Sequence, residues 1–233
     1  MTARIEYEEH RLAVTRTARW GALGERSART GELWFVLHGY GQLAAPFAAS
    51  TSWPVEPNRA FVFPEALQRF YEDDASQPRR THADAPVGAN WMTREAREDD
   101  IADNLAYLDA LLARVRADAP NAAFVVLGFS QGAATATRWA AARAAAGDPP
   151  SRLILWAGVV PPDVDLGPNA PLRRVPIRIV FGTHDHYAPS ERIAAERARF
   201  QVAGFPASVE RFEGGHRLDD ATLARIASVA PAG

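Results

Sequence analysis

An apolar run, Ala123-Phe124-Val125-Val126-Leu127, leads directly into Gly128-Phe129-Ser130-Gln131-Gly132, and an alanine-rich stretch from Ala133 to Ala146 follows. A Gly-x-Ser-x-Gly string alone carries little information, since chance produces it in about one chain in ten of this length. Its neighbourhood here is what constrains the fold. A buried strand that enters the motif and a helix that leaves it force a sharp turn, which strains the central residue and pushes its side chain outward. Gly128 and Gly132 flank the serine where strand and helix approach too closely for a Cβ, and Ala133 and Ala134 keep the crowding low. The pattern reads as a nucleophile elbow with Ser130 exposed at its tip. The bland alternative is a strand-to-helix turn with an incidental serine.

Five further short apolar runs punctuate the chain: Leu33 to Leu37, Ala60 to Phe63, Leu153 to Trp156, Ile177 to Phe181 and Val209 to Phe212. Most are continuously apolar, as parallel strands covered on both faces must be. The more polar stretch from Ile5 to Trp20 suits an antiparallel edge hairpin. Ile101, Leu105, Leu108, Leu112 and Val115 recur at steps of four and three, one apolar stripe of a helix. Glu95, Glu98, Asp99 and Asp100 favour the start of that helix and Pro120 follows its end. The helix after Ser130 should stop near Ala146, at Gly147 and Pro149. Two more helices are expected at about Ser190 to Val202 and Ala221 to Val229. Strands alternating with helices predict a mostly parallel central α/β sheet flanked by helices.

The 233 residues are 47% hydrophobic and 23% charged, enough for a substantial core. With no repeat and no linker-like segment, one domain spanning 1–233 is expected, without a large cap domain. Twenty-six basic and 28 acidic residues give a formal charge of −2, which offers no general attraction to nucleic acid or to an anionic membrane. The absence of cysteine excludes disulfides, thiolate catalysis and Cys-ligated zinc. A charged N-terminus, with no apolar run of membrane-spanning length, makes a cytoplasmic protein without stable membrane insertion the default expectation. Oligomeric state, a homodimer included, is left open. Residues 73–90, with Pro78, Arg79, Arg80 and Pro86, and the Pro-rich residues 158–175 lack periodicity and should be surface loops.

A serine hydroxyl needs a positioned base, and an imidazole held by a carboxylate supplies one near neutral pH. Two later strands end in suitable residues. Ile177 to Phe181 leads into Gly182-Thr183-His184-Asp185, and Val209 to Phe212 leads into Glu213-Gly214-Gly215-His216. The order Ser130, Asp185, His216 is that of the α/β-hydrolase fold, and parallel strands bring such residues to one edge of the sheet. Asp163 and Asp165 are alternative acids, ranked lower because they lie deep in a Pro-rich loop. His184 and His186 flank Asp185, but a metal there would compete with its role beside the histidine, and nothing nearby completes a ligand set.

Developing negative charge on a substrate oxygen requires an oxyanion hole. One expected donor is the backbone N–H of Gln131, at the start of the elbow helix. The other is the N–H of Tyr40 in His38-Gly39-Tyr40-Gly41, where two glycines let the backbone twist inward. His38, ending a buried strand, reads as a structural hydrogen-bonding residue rather than a second base.

With these pieces placed, the chain from Leu33 onward resembles the phospholipase/carboxylesterase family of small α/β-hydrolases. Leu37-His38-Gly39-Tyr40-Gly41 is similar to that family's Leu-His-Gly-x-Gly loop, and Gly128-Phe129-Ser130-Gln131-Gly132 matches its elbow. Trp156-Ala157-Gly158-Val159-Val160-Pro161 resembles the segment after its next strand. Gly182-Thr183-His184-Asp185 and Gly215-His216 fall where its acid and base belong. The resemblance implies Ser130 as nucleophile, Asp185 and His216 as its partners, Tyr40 and Gln131 as oxyanion donors, and no cofactor. Two departures bear on substrate choice: Asn90-Trp91-Met92-Thr93 lacks the Asp that commonly follows the family's Trp, and residues 73–90 are polar.

These readings lead to an expected serine carboxylesterase acting on short- to medium-chain acyl esters through an acyl-enzyme. An acyl-protein thioesterase or lysophospholipase with the same triad is the alternative, and a catalytically inactive binding protein on the same fold is a third. Trp91, Met92, Tyr187, Leu43 and Phe47 are candidates for the acyl pocket, each equally readable as ordinary packing.

Overall fold

Leu33, Phe35 and Leu37 pack into one apolar cluster, while the intervening Trp34 and Val36 pack into a second on the other side. A strand sends alternate side chains to opposite faces, so a run apolar at every position must lie between two layers. This run is β2 (Glu32–Leu37), near the middle of a seven-stranded sheet. The computed structural model describes residues 7–72 and 85–229.

In spatial order the sheet comprises β1 (Trp20–Leu23), β3 (Arg59–Pro64), β2, β6 (Ala123–Phe129), β7 (Arg152–Trp156), β8 (Ile177–Gly182) and β9 (Ala207–Phe212). All neighbours are parallel except β1, which runs antiparallel to β3. The antiparallel edge expected near the N-terminus is therefore present as a single strand rather than a hairpin. Residues 7–19 form no strand, and β1 pairs with a strand some 40 residues further on. The mostly polar, exposed side chains of 7–19 offer no apolar face to bury against the sheet.

The helices α2 (Arg97–Arg116), α3 (Gln131–Ala145) and α4 (Ser190–Val202) cover one face. There Leu108, Leu112 and Val115 from the predicted stripe join Trp139, Ala140, Ile193 and Phe200. On the other face α1 (Ala44–Ala49) and α5 (Asp220–Ser228) contribute Phe47, Leu223 and Ile226. Asp219 caps α5, accepting the Thr222 N–H at 3.0 Å. Among the described residues no helix is long and apolar enough to cross a membrane.

Two loop expectations need correction. Residues 158–175, read as a surface loop, bury Val160, Leu166, Leu172 and Val175 in the core and hold a short 3-10 helix at Pro171–Arg174. The end of the segment read as an irregular loop, Val87–Asn90, is strand β5, paired antiparallel with β4 (Gln68–Tyr71). Residues 73–84 of that segment lie outside the described residues. Four residues containing a glycine have too little pattern to read as a strand, and it is the pairing with β4 that makes them one. The ribbon also grips the loop after β2, since Gly41 N–H donates to Ala89 O at 2.9 Å. A Cβ on Gly88 would sit 2.7 Å from Gly41 O, so glycine is required at that approach.

Candidate active site

Because β2, β6, β8 and β9 are parallel, the loops that leave their C-terminal ends share one edge of the sheet. The chain passes from β2 outward to β3, then returns to β6 on the other side of β2. That reversal opens a crevice at the edge, the place where ligands bind in open α/β sheets. The His38–Gly41 loop and Ser130 follow β2 and β6, the two strands that flank the reversal.

Ser130 adopts φ +54 and ψ −116, which no strand or helix residue shares, as the elbow reading requires. The crowding that enforces the turn is measurable. A Cβ on Gly128 would lie 2.4 Å from Gly132 O, and one on Gly132 would lie 2.4 Å from Leu37 O. Ser130 N–H donates to Trp156 O at 2.8 Å, so β7 anchors the tip of the elbow. The same tryptophan donates its indole N–H to Arg217 O at 2.9 Å, next to His216. Trp156 is fully buried and thus fixes both sides of the site at once. The sequence marks this residue as a strand end and part of a motif but not as a link across the site, since its two partners lie 26 positions before it and 61 positions after it.

His216 Nδ1 lies 3.0 Å and 2.9 Å from the two carboxylate oxygens of Asp185. Asp185 is buried, and its Oδ1 also accepts the N–H groups of Tyr187 at 2.9 Å and Ala188 at 3.2 Å. An ionised carboxylate can only accept, so this contact places the hydrogen on Nδ1 and leaves the Nε2 lone pair to act as a base. The imidazole lies against two aromatic rings, Phe129 at 4.9 Å and Tyr187 at 4.7 Å between centroids. Phe129 is the residue before Ser130, so the elbow and the histidine loop are in contact. Ser130 Oγ makes no hydrogen bond to another described residue.

The rival acids are engaged elsewhere. Asp163 forms a paired contact with Arg138, with Nε to Oδ2 and Nη2 to Oδ1 both at 2.8 Å, and Arg97 lies 3.2 Å away. The Arg138 hydrogen bonds hold the Asp163 carboxyl down at about 2. Asp165 accepts Gly167 N–H at 2.8 Å within its own turn. His184 pairs with Glu213 at 3.1 Å on the surface, while Asp185 uses its oxygens on His216 and two amides.

His38 is structural, as its position in the chain suggested. It is completely buried, with Nδ1 2.8 Å from Gly39 O and Nε2 accepting Ala66 N–H at 3.1 Å. Burial pushes its pKa below the usual imidazole value, consistent with a neutral ring protonated on Nδ1. Both nitrogens are occupied, so His38 has no lone pair to offer a serine.

The N–H of Gln131 opens α3 and is one of the donors that a helix start leaves unpaired. Its side chain is a clamp: Oε1 accepts Trp91 N–H at 3.0 Å and Nε2 donates to Met92 O at 2.8 Å. Tyr40 N–H donates to no described residue, while its ring lies exposed against Phe70 at 5.2 Å.

The pocket candidates separate on burial. Trp91 is wholly buried and donates its indole N–H to His38 O at 2.8 Å, so it is core and not an exposed pocket wall. Phe47 is buried but lines a cleft of about 640 Å³ with Gln42, Ser50, Thr51, Phe129, His216, Asp219 and Asp220. Leu43 and Met92 are partly buried against the core, Arg138 Nη1 lies 3.4 Å from the Met92 sulfur, and Tyr187 is exposed beside His216. None of Trp91, Met92, Tyr187 and Leu43 lines that cleft. Beside Gln42, Phe129 and His216, its walls come from Phe47 and the residues just after α1 and from the start of α5, segments with no motif to mark them.

Similar architecture occurs in solved structures. Acyl-protein thioesterase 2 of Zea mays superposes with a TM-score of 0.63 at 18% identity, over 90% of this chain and 96% of that one. A Bacillus cereus carboxylesterase gives 0.59 at 14% identity, over 90% and 91%. A phospholipase/carboxylesterase from Dyadobacter fermentans gives 0.57 at 16% identity, over 92% and 96%. At such identities these likenesses establish the α/β-hydrolase fold. Comparison with curated proteins gives no match. The family comparison is positive: residues 33–221, from the first core strand through the start of α5, match the serine hydrolase (FSH1) family. That span covers the strained elbow, the Asp185–His216 pair and the loop after β2, and it shows that this chain belongs to the FSH1 serine hydrolase family.

Proposed function

We propose that the protein is a serine carboxylesterase that hydrolyses short- to medium-chain acyl esters through an acyl-enzyme. The observation that carries this reading is the pairing of His216 Nδ1 with buried Asp185, held against Phe129 at the strained Ser130 elbow. In this reading His216 Nε2 takes the hydroxyl proton as Ser130 Oγ attacks the ester carbonyl. The N–H groups of Tyr40 and Gln131 receive the charge that forms on the carbonyl oxygen. The alcohol leaves with the proton from His216, and water, activated by the same imidazole, releases the acid. Asp185 keeps the ring oriented and stabilises its charged form.

Small esters are favoured over long lipids because the cleft beside His216 has polar walls, including Ser50, Thr51, Asp219 and Asp220. The test is hydrolysis of p-nitrophenyl acetate, butyrate and octanoate by the wild type and by Ser130→Ala, with fluorophosphonate labelling of Ser130. The expected result is labelling of the wild type, activity falling at octanoate, and at least a 10³-fold loss in the variant. Equal rates in both proteins would remove Ser130 as nucleophile. A clear preference for palmitoyl thioesters or lysophosphatidylcholine would favour the thioesterase or lysophospholipase alternative.

A further inference from the structure

Gln42 follows the loop that carries Tyr40. Its side-chain Oε1 accepts the Gly39 N–H at 2.7 Å, and its own N–H closes the turn on Gly39 O at 3.3 Å. A main-chain N–H can only donate, so the end of the carboxamide facing Gly39 is the oxygen. The NH2 group is therefore turned away from Gly39, and it finds no partner among the described residues. Gln42 lines the same cleft as His216.

The Gly39 contact matters because of what surrounds it. A Cβ on Gly39 would lie 3.0 Å from Gln42 Oε1, 3.1 Å from the Phe129 ring and 3.3 Å from the Ser130 Cβ. The Gly39 backbone thus packs directly against the elbow, with the Gln42 amide oxygen on the same side. On its far side the loop is fixed by Gly41, at φ +74, whose N–H donates to Ala89 O. Between those two restraints stands the Tyr40 N–H, with no partner among the described residues.

We propose that Gln42 serves both parts of the site: its amide oxygen positions the Tyr40 N–H for the oxyanion, and its amide NH2 donates to an oxygen-bearing group of the ester bound in the cleft. The preferred substrates are then small esters carrying a hydroxyl, ether or second carbonyl oxygen near the scissile bond. A donor left unpaired by a plain alkyl chain discriminates against it, because burying that donor without a partner is costly. This inference rests on the esterase reading and adds a positioning residue and a substrate class to it.

The experiment compares the wild type, Ser130→Ala and Gln42→Leu on two isosteric pairs in which an oxygen replaces a methylene. One pair varies the acyl group, p-nitrophenyl valerate against p-nitrophenyl 3-methoxypropionate. The other varies the alcohol, butyl acetate against 2-methoxyethyl acetate followed by acid release. Inhibition by a trifluoromethyl ketone, whose carbonyl adds the Ser130 hydroxyl to give a hemiketal with its oxyanion in the oxyanion hole, and by the product carboxylate is measured in parallel. The wild type should prefer the oxygen-bearing member of at least one pair by about tenfold. Gln42→Leu should abolish that preference, lower kcat on every ester by tenfold or more, and weaken the ketone by a matching factor, with KM on the plain alkyl esters and product inhibition changed less than threefold. Gln42→Ala replaces Gln42→Leu as the decisive variant if the latter melts more than a few degrees lower.

The proposal is overturned if the decisive variant keeps wild-type kcat, if ketone and product affinities fall together, or if the wild type is indifferent to the oxygen in both pairs. An active wild type with an inactive Ser130→Ala would then leave the esterase reading standing. If the wild type hydrolyses nothing and Ser130 takes no fluorophosphonate, that reading falls and this one with it.

Discussion

Replacing Gly132 with alanine tests the geometry of the site without removing any functional group. The new Cβ would stand 2.4 Å from Leu37 O and 2.5 Å from His38 O. Opening the first contact to the 3.4 Å of ordinary van der Waals contact parts the start of α3 from the end of β2 by about 1 Å. One side of that gap carries Gln131 N–H and the other leads into Tyr40, so the two proposed oxyanion donors move apart. A misplacement of about 1 Å can cost about 10²-fold in rate. Overpacking of this kind costs about 1–3 kcal/mol, a fall of about 2–12 °C in a chain of this length. The assay is kcat on p-nitrophenyl butyrate together with thermal melting, with Gly147→Ala as control. Gly147 stands past the end of α3 at φ +83 with nothing near its Cβ position, so alanine there costs stability, about 1 kcal/mol, and no site geometry. The reasoning is refuted if Gly132→Ala keeps kcat within twofold of wild type, or if Gly147→Ala loses as much.

Asp185→Asn should lower kcat by about 10⁴-fold with little loss of fold, because an amide nitrogen facing His216 favours the wrong tautomer; kcat within tenfold of wild type would remove Asp185 from the triad. Trp156→Phe keeps most of the buried ring but removes the hydrogen bond to Arg217 O, leaving that carbonyl unpaired at about 1–3 kcal/mol. Its kcat should fall more than its KM rises, and an unchanged kcat would show that Trp156 does not set the His216 loop. Asp163 ionises in the folded protein at about 2, chiefly through its Arg138 hydrogen bonds, against about 3.9 in an unfolded chain. A depressed carboxyl stabilises the fold above the unfolded value, and that contribution is lost as pH falls from about 4 toward 2. The side chain is 39% exposed, so screening holds the contribution under about 1 kcal/mol. Urea midpoints of wild type and Asp163→Asn should therefore differ at pH 6 and converge near pH 2, and a constant gap across that range would contradict the assignment.

The larger features of the fold were legible because they rest on local physics. A strand buried on both faces must be apolar at successive positions, so Leu33–Leu37 and Phe124–Leu127 declared themselves. The α2 stripe did the same through its spacing. Helix α1 was missed because Ala44-Ala45-Pro46-Phe47-Ala48-Ala49 is too short for periodicity and holds a proline. Trp91 reads equally as a pocket wall or as ordinary packing, because a large aromatic beside a site looks the same in sequence whether it faces solvent or core. Burial decided it, through the bond from its indole to His38 O.

The sequence by itself determined the chemistry on offer: a serine at a forced turn, an acid and a histidine after later strands, and two glycines beside Tyr40. Each follows from steric or hydrogen-bonding rules acting within a few residues. Tertiary structure decided which groups meet. It paired Asp185 with His216 and Asp163 with Arg138, and it tied the elbow to the histidine loop through Trp156. It also built the cleft from Ser50, Thr51, Asp219 and Asp220, brought together across more than 160 residues. Local rules cannot foresee such meetings, because they are set by the packing of α1 and α5 onto one face of a shared sheet.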